Sequence, residues 1–220
     1  MINRRLFVFL VLGLALFSCS GDQESNESAA SLSDGEINNS VLKAQIQNGL
    51  AAYPAWLAQW RPSIAVSPEG FELMRTDSIQ DLTMPERNPI LEDDPLYPYQ
   101  FAHPEGNGRI DLYSSKVEAR KNSKEAFFNP DSKVVWYRED GMKETLLFMG
   151  PSGMLEEGRW ISSGEFLVLG SLQEENGYRP MVWLINLDED RLYQYAYNQL
   201  STDYDPTNYL AEKLRGLDLK

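Results

Sequence analysis

Short apolar runs separated by turn-forming residues dominate the second half of the chain. The runs are KVVWYR, ETLLFM, EFLVLG, PMVWLINL and RLYQYAY. Short strands at this spacing, joined by links of hairpin length, predict an antiparallel β-meander. FLVL and MVWLI are apolar at consecutive positions, so we expect both faces of these two strands to be covered. RLYQYAY alternates instead, which places Tyr193, Tyr195 and Tyr197 on one side of its strand.

Helices are predicted on either side of this β-rich region. Ser40 is a suitable N-cap for the segment VLKAQIQNGLAAY, whose apolar residues recur near one helical face. Pro54 can open a second short helix that runs to Trp60. Near the C-terminus, DPTNYLAEKLRGL has Pro206 at its start and Gly216 at its end, which is typical of a short helix.

The expected fold is therefore mainly β, of the α+β type, with an antiparallel meander, an N-terminal helix and a short C-terminal helix. Residues 160–197 resemble one blade of a β-propeller in their order of Trp, turn, strand, loop and two further strands. The sequence shows no convincing second copy, and a propeller needs repeats to close. A partial propeller-like domain or a β-sandwich is the alternative fold.

The first residues of the chain have the parts of an export signal. Arg4 and Arg5 are positive, and residues 6–17 form an apolar run. The run has about a dozen residues, whereas a membrane-spanning helix needs roughly 20, so we expect a signal peptide over residues 1–18. Residues 16–19, LFSC, resemble the lipobox of bacterial lipoproteins, with Phe17 as a bulkier residue than usual. This resemblance implies that Cys19 is lipidated and becomes the mature N-terminus.

The residues after Cys19 bear on the location of the protein. In such lipoproteins, Asp directly after the cysteine is the signal for retention in the inner membrane. This chain has Ser20 at that position. The acidic tract that follows resembles the export signal of surface lipoproteins of the Bacteroidota. These resemblances imply an outer-membrane lipoprotein whose domain faces either the periplasm or the cell surface.

Charge and composition divide the mature chain into two parts. Residues 19–40 are Ser, Asn, Gly and acids with little apolar content, so we expect an acidic, disordered tether. Residues 41–220 have the length of a single globular domain. The formal charge is −13, and with the two arginines of the signal and the five acids of the tether removed, 18 basic and 28 acidic residues leave −10 on the domain. Nucleic acid is therefore disfavoured as a partner.

Few residues in the sequence indicate catalysis, a metal site or a cofactor. His103 is the single histidine, and we expect an ordinary turn residue because no nucleophile-elbow pattern accompanies it. The acidic segments 92–94 and 186–190 have oxygen-rich side chains, but the second lacks the glycine and the closing glutamate of a calcium loop. No cofactor is expected. The sequence leaves open whether two carboxylates that are distant along the chain come together in a hydrolase site.

Aromatic residues are the best candidates for ligand binding. The ladder Tyr193, Tyr195 and Tyr197, together with Tyr97 and Tyr99, could form a flat platform for a sugar or peptide, whereas core packing is the alternative. Trp56 and Trp60 are four residues apart, so a helix that docks on the domain would bury both on the same face. Ser78 lies in Asp77-Ser78-Ile79, which resembles an O-glycosylation site of exported Bacteroidota proteins.

The sequence favours a lipid-anchored cell-envelope protein that acts as a non-catalytic accessory or binding module. Its expected partners are the membrane, through the N-terminal lipid, and either an envelope protein or a glycan. A glycan- or peptide-binding surface lipoprotein is one alternative, and a carboxylate-dependent hydrolase is another.

Overall fold

A computed structural model describes residues 34–79, 83–119 and 125–220. Cys19, the predicted signal and residues 19–33 of the predicted tether lie outside the described residues. The helices are α1 (Asp34–Leu50), α2 (Pro54–Gln59) and α3 (Pro206–Lys213). The strands are β1 (Phe71–Ser78), β2 (Met84–Pro85), β3 (Phe101–Ala102), β4 (Arg109–Asp111), β5 (Val117–Ala119), β6 (Glu125–Phe128), β7 (Ser132–Tyr137), β8 (Met142–Met149), β9 (Gly153–Trp160), β10 (Glu165–Glu174), β11 (Gly177–Asn186), β12 (Arg191–Tyr197) and β13 (Asp218–Leu219).

Three of the five predicted meander strands, β10, β11 and β12, lie in a five-stranded sheet, here named the central sheet, with strand order β1-β12-β11-β10-β9, whereas the other two, β7 and β8, pair with each other in a different sheet. Every neighbouring pair in the central sheet is antiparallel. A second five-stranded sheet, the outer sheet, has the order β2-β8-β7-β4-β3, and β13, β6 and β5 form a small third sheet. The prediction of a mainly β fold with an antiparallel meander and terminal helices is confirmed.

The central sheet is covered on both faces, as its continuous apolar runs predict. Residues such as Val168 and Trp183 face a core shared with the outer sheet and α3. Residues such as Leu167 and Leu184 face a second core shared with α1 and α2. The domain is thus built of three layers, with the helices α1 and α2, the central sheet and the outer sheet in that order.

The tyrosine ladder lies inside the second core and not on the surface. Tyr193, Tyr195 and Tyr197 are all buried, packed with residues of α1 and α2. The alternation of β12 correctly places them on one face, but the helices cover that face. The platform of exposed tyrosines considered as a binding face is therefore corrected to a core-packing role.

Both helix predictions hold in part. Leu42, Ile46 and Leu50 of α1 are buried, as is Trp56 of α2, whose ring meets Trp60 edge to face at 5.7 Å. The helix α1 starts at Asp34, whereas the sequence predicts a start at Ser40 and a disordered tether before it. The helix therefore includes the last residues of the segment predicted as a tether.

Strand β9 is missing from the sequence prediction. Its residues GMLEEGRW contain two adjacent acids, which conceal the strand pattern in what reads as a linker. The register of β9 against β10 shifts between Leu169 and Gly170, so that Glu156 is the extra residue of a bulge. Glu156 and Glu157 are both buried, with their side chains directed to the second core.

Candidate functional site: an arginine-lined cleft

An open cleft of about 610 Å³ lies beside the outer sheet. Three segments that are distant in the sequence form its walls: the loop 87–92, the turn 103–108 with the start of β4, and the turn 137–141 between β7 and β8. Tyr97, one of the predicted binding residues, also lines it. We name this depression the arginine cleft after Arg87, Arg109 and Arg138, which all lie in its wall.

The turn HPEGNG shapes one wall of the cleft. The backbone N–H of His103 donates to Gly108 O, and that of Gly106 donates to His103 O, each at 3.0 Å. Gly108 has a φ of +82°, and a Cβ there would lie 1.9 Å from Tyr137 O. Because only glycine combines this conformation with this close approach, Gly108 sets the turn against β7.

His103 holds this turn in place. Its Nε2 donates to Ser163 O at 2.9 Å, and its Nδ1 accepts from the backbone N–H of Glu105 at 3.1 Å. The ring also stacks on Trp136 and meets Trp160 edge to face. Both ring nitrogens are therefore occupied, in agreement with the expected role as a turn residue.

The three arginines of the cleft have different surroundings. Arg138 forms ion pairs with Glu144 and Asp140, and the hydrogen bond with Glu144 is the main cause of its raised pKa. Arg109 is half-buried, donates through Nη2 to Tyr97 Oη at 3.1 Å, and lies 4.5 Å from the centre of the Tyr97 ring. Arg87 is exposed. The cleft thus combines aromatic surface with guanidinium donors.

Tyr99, the other predicted binding residue of this segment, belongs to a different depression. A groove of about 490 Å³ lies between α2 and α3 and is lined by Ala55, Gln59, Tyr99, Tyr209, Glu212, Lys213 and Arg215. We name it the helix groove. The structure therefore separates Tyr97 from Tyr99 and does not bring either one to the Tyr193–Tyr197 ladder.

The bulge of β9 holds a buried acidic pair. Glu156 accepts hydrogen bonds from Trp56 Nε1 at 2.5 Å, Tyr204 Oη at 2.6 Å and Ser171 Oγ at 2.6 Å. Burial outweighs these bonds and raises the pKa of Glu156 to about 7.

The neighbouring carboxylate is paired differently. Glu157 accepts from Tyr209 Oη at 2.8 Å and forms an ion pair with Lys213. Neither glutamate lines the arginine cleft or the helix groove, and Glu156 is fully buried. The pair connects the central sheet to α2 and α3.

The two acidic segments considered from the sequence form turns. Asp94 Oδ1 accepts from the backbone N–H of Leu96 at 2.9 Å, and Asn186 Oδ1 accepts from that of Glu189 at 3.0 Å. The described residues contain no group of three His, Cys, Asp or Glu side chains that could hold a metal ion.

Ser78 is exposed at the end of β1, and its Oγ lies 3.3 Å from Nη1 of Arg191.

Comparison with known proteins gives no relative: no family model, no curated protein and no solved structure matches the chain. Among the helices that the structure describes, none is long and apolar enough to cross a membrane. Function therefore has to be argued from the site itself.

Proposed function

We propose that this protein is a lipid-anchored component of the cell envelope that binds a ligand in the arginine cleft without transforming it. The observation that carries the proposal is the cleft itself, because an open depression of about 610 Å³ with convergent polar groups and an aromatic wall is typical of a binding site. Tyr97 is the predicted binding residue that lies there.

The non-catalytic part of the proposal rests on the placement of the reactive groups. Glu156 and Glu157 are two carboxylates brought together, as a hydrolase would need, but they lie in the core. His103 has both ring nitrogens engaged by backbone groups. A general acid or base has to reach the proton that it transfers, whereas Glu156 and Glu157 are buried and both ring nitrogens of His103 are already bonded to the backbone.

Ligand binding is tested with the full-length protein, purified in mild detergent, on arrays of glycans and peptides. Ala102 is exposed and lines the cleft, so Ala102→Trp fills the cleft without disturbing the core. Ala55→Trp is the matched control, because Ala55 is exposed in the helix groove. Binding lost in Ala102→Trp and kept in Ala55→Trp supports the proposal, and the reverse result contradicts it.

The lipid anchor is proposed at Cys19 from the resemblance to a lipobox. Cys19→Ala should move the protein from the membrane fraction to the soluble fraction, because no acyl chain is then attached. Cys19→Ala protein that stays with the membranes contradicts this proposal. The outer membrane is the proposed location, and protease added to intact cells reports whether the domain faces outward.

A modification is proposed at Ser78. The exposure of this residue at the strand end leaves its hydroxyl accessible to a transferase. Mass spectrometry of protein purified from its native membrane should show a glycan on the peptide containing Ser78 and none after Ser78→Ala. An unmodified Ser78 peptide in the native protein contradicts the proposal.

A protein partner is the second candidate function. Strand β1 is the edge of the central sheet, and Leu73 and Met74 on it are 38% and 55% exposed. An exposed edge with apolar side chains favours association. Co-purification from gently solubilised membranes should yield a stoichiometric partner that Met74→Lys weakens, and a solitary wild-type protein removes this candidate.

A further inference from the structure

We infer that the arginine cleft recognises a single carboxylate of its ligand through Arg109 and Arg87. This inference rests on the proposed binding function and adds the chemical class of the ligand. A carboxylate is the natural partner of a guanidinium group, because its two oxygens match two parallel N–H donors.

Arg109 is the strongest indication. In the part of the chain that the structure describes, no carboxylate lies within ion-pair distance of its guanidinium group, although the protein has 33 acidic and only 20 basic residues. Its one side-chain hydrogen bond to a described residue runs from Nη2 to Tyr97 Oη, which leaves Nε and Nη1 for other acceptors. The Tyr97 ring supports the guanidinium on one side at 4.5 Å. A half-buried cation of this kind is positioned to bind an anionic group of a ligand.

The other charges of the lining limit the ligand to few negative groups. Arg87 is exposed and has no ion pair among the described residues, whereas Arg138 is already neutralised by Glu144 and Asp140. Glu92 and Glu139 are exposed in the same lining. The two acids offset the charge of the two available cations, so these groups carry no net positive charge that would attract a polyanion, and they favour a ligand with one carboxylate.

Two sources of such a carboxylate are tested in parallel, each with a neutral counterpart. The sugar acid is glucuronic acid against its methyl ester, and the peptide terminus is N-acetyl-trialanine against its amide. Affinities for the full-length protein in detergent are measured by saturation-transfer NMR titration. We expect at least one acid to bind at least tenfold more tightly than its neutral form, as a charge-assisted hydrogen bond predicts.

Arginine variants locate the effect. Arg109→Gln should weaken binding of the acid by about tenfold or more and leave that of the neutral form unchanged, because only the acid uses the charge. Arg87 is exposed, so Arg87→Gln should not disturb folding. It should weaken binding of the acid by a smaller factor than Arg109→Gln does. Arg215→Gln in the helix groove is the matched control and should have no effect.

The outcomes separate the inference from the proposed function. If Ala102→Trp blocks an array ligand while neither acid binds, or while neutral forms bind as tightly as acids, the carboxylate inference is overturned and the binding function stands. If Ala102→Trp leaves binding of the acids intact, the cleft is not their site and both are overturned. Selective loss of acid binding in Arg109→Gln supports both.

Discussion

Replacing Glu156 with glutamine should change how the stability of the domain depends on pH. The pKa of Glu156 is raised from 4.5 to about 7 in the folded protein, mainly by burial. The folded state therefore holds this proton more tightly than the unfolded state, and the free energy of unfolding falls as the pH rises through this range. At about 1.4 kcal/mol per unit, the loss from this one group is about 3 kcal/mol.

Glutamine is a close mimic of the protonated side chain. Its oxygen can accept from Trp56 and Tyr204, which both donate to Oε2, and its amide can donate to Ser171 Oγ. We expect the free energy of unfolding of Glu156→Gln to be within about 1 kcal/mol of the wild-type value at pH 5. At pH 8 it should be higher than the wild-type value by roughly 2–3 kcal/mol.

Urea unfolding of the two proteins at pH 5, 6.5 and 8, followed by tryptophan fluorescence, measures this difference. An equal pH dependence in wild type and Glu156→Gln would refute the burial argument.

Four further substitutions test the packing of the cleft and core by thermal and urea unfolding. Gly108→Ala should cost at least about 1–3 kcal/mol, because it adds strain at positive φ and a clash with Tyr137 O; an unchanged midpoint would contradict this geometry. Trp60→Ala should cost about 3–5 kcal/mol, since the ring is fully buried and stacks on Tyr204 at 3.5 Å; a cost below 1 kcal/mol would place Trp60 on the surface. Tyr195→Phe should be neutral or stabilising, because the buried hydroxyl has no hydrogen-bond partner among the residues that the structure describes, whereas Tyr204→Phe should destabilise by removing a donor to Glu156.

The central sheet was predictable where its strands carry a local signal. Apolar runs bounded by turns specify β10, β11 and β12 without reference to the rest of the chain. The strand β9 was not predictable, because Glu156 and Glu157 are polar in the sequence and become core residues only through partners about 50 to 100 residues away, such as Trp56 and Tyr209.

The candidate site shows the same limit. The alternation of β12 correctly predicts one face for Tyr193, Tyr195 and Tyr197, but whether that face is exposed depends on helices elsewhere in the chain. Arg87, Arg109 and Arg138 carry no common motif, since they lie in a loop, at the start of β4 and in a turn, which only the folded sheets bring together. The sequence does show proline-rich and glycine-rich turns around these arginines. Loops of this kind commonly carry binding residues.

The central claim is that ligands occupy the arginine cleft. Hydrogen–deuterium exchange of the full-length protein, with and without an acid that binds it in the NMR titrations, tests this claim most directly, because backbone amides near a bound ligand are protected. We expect slower exchange in the turn 103–108 and the turn 137–141, with no change around Tyr99 and α3. Protection confined to the helix groove, or none in the two turns at saturating ligand, would contradict it.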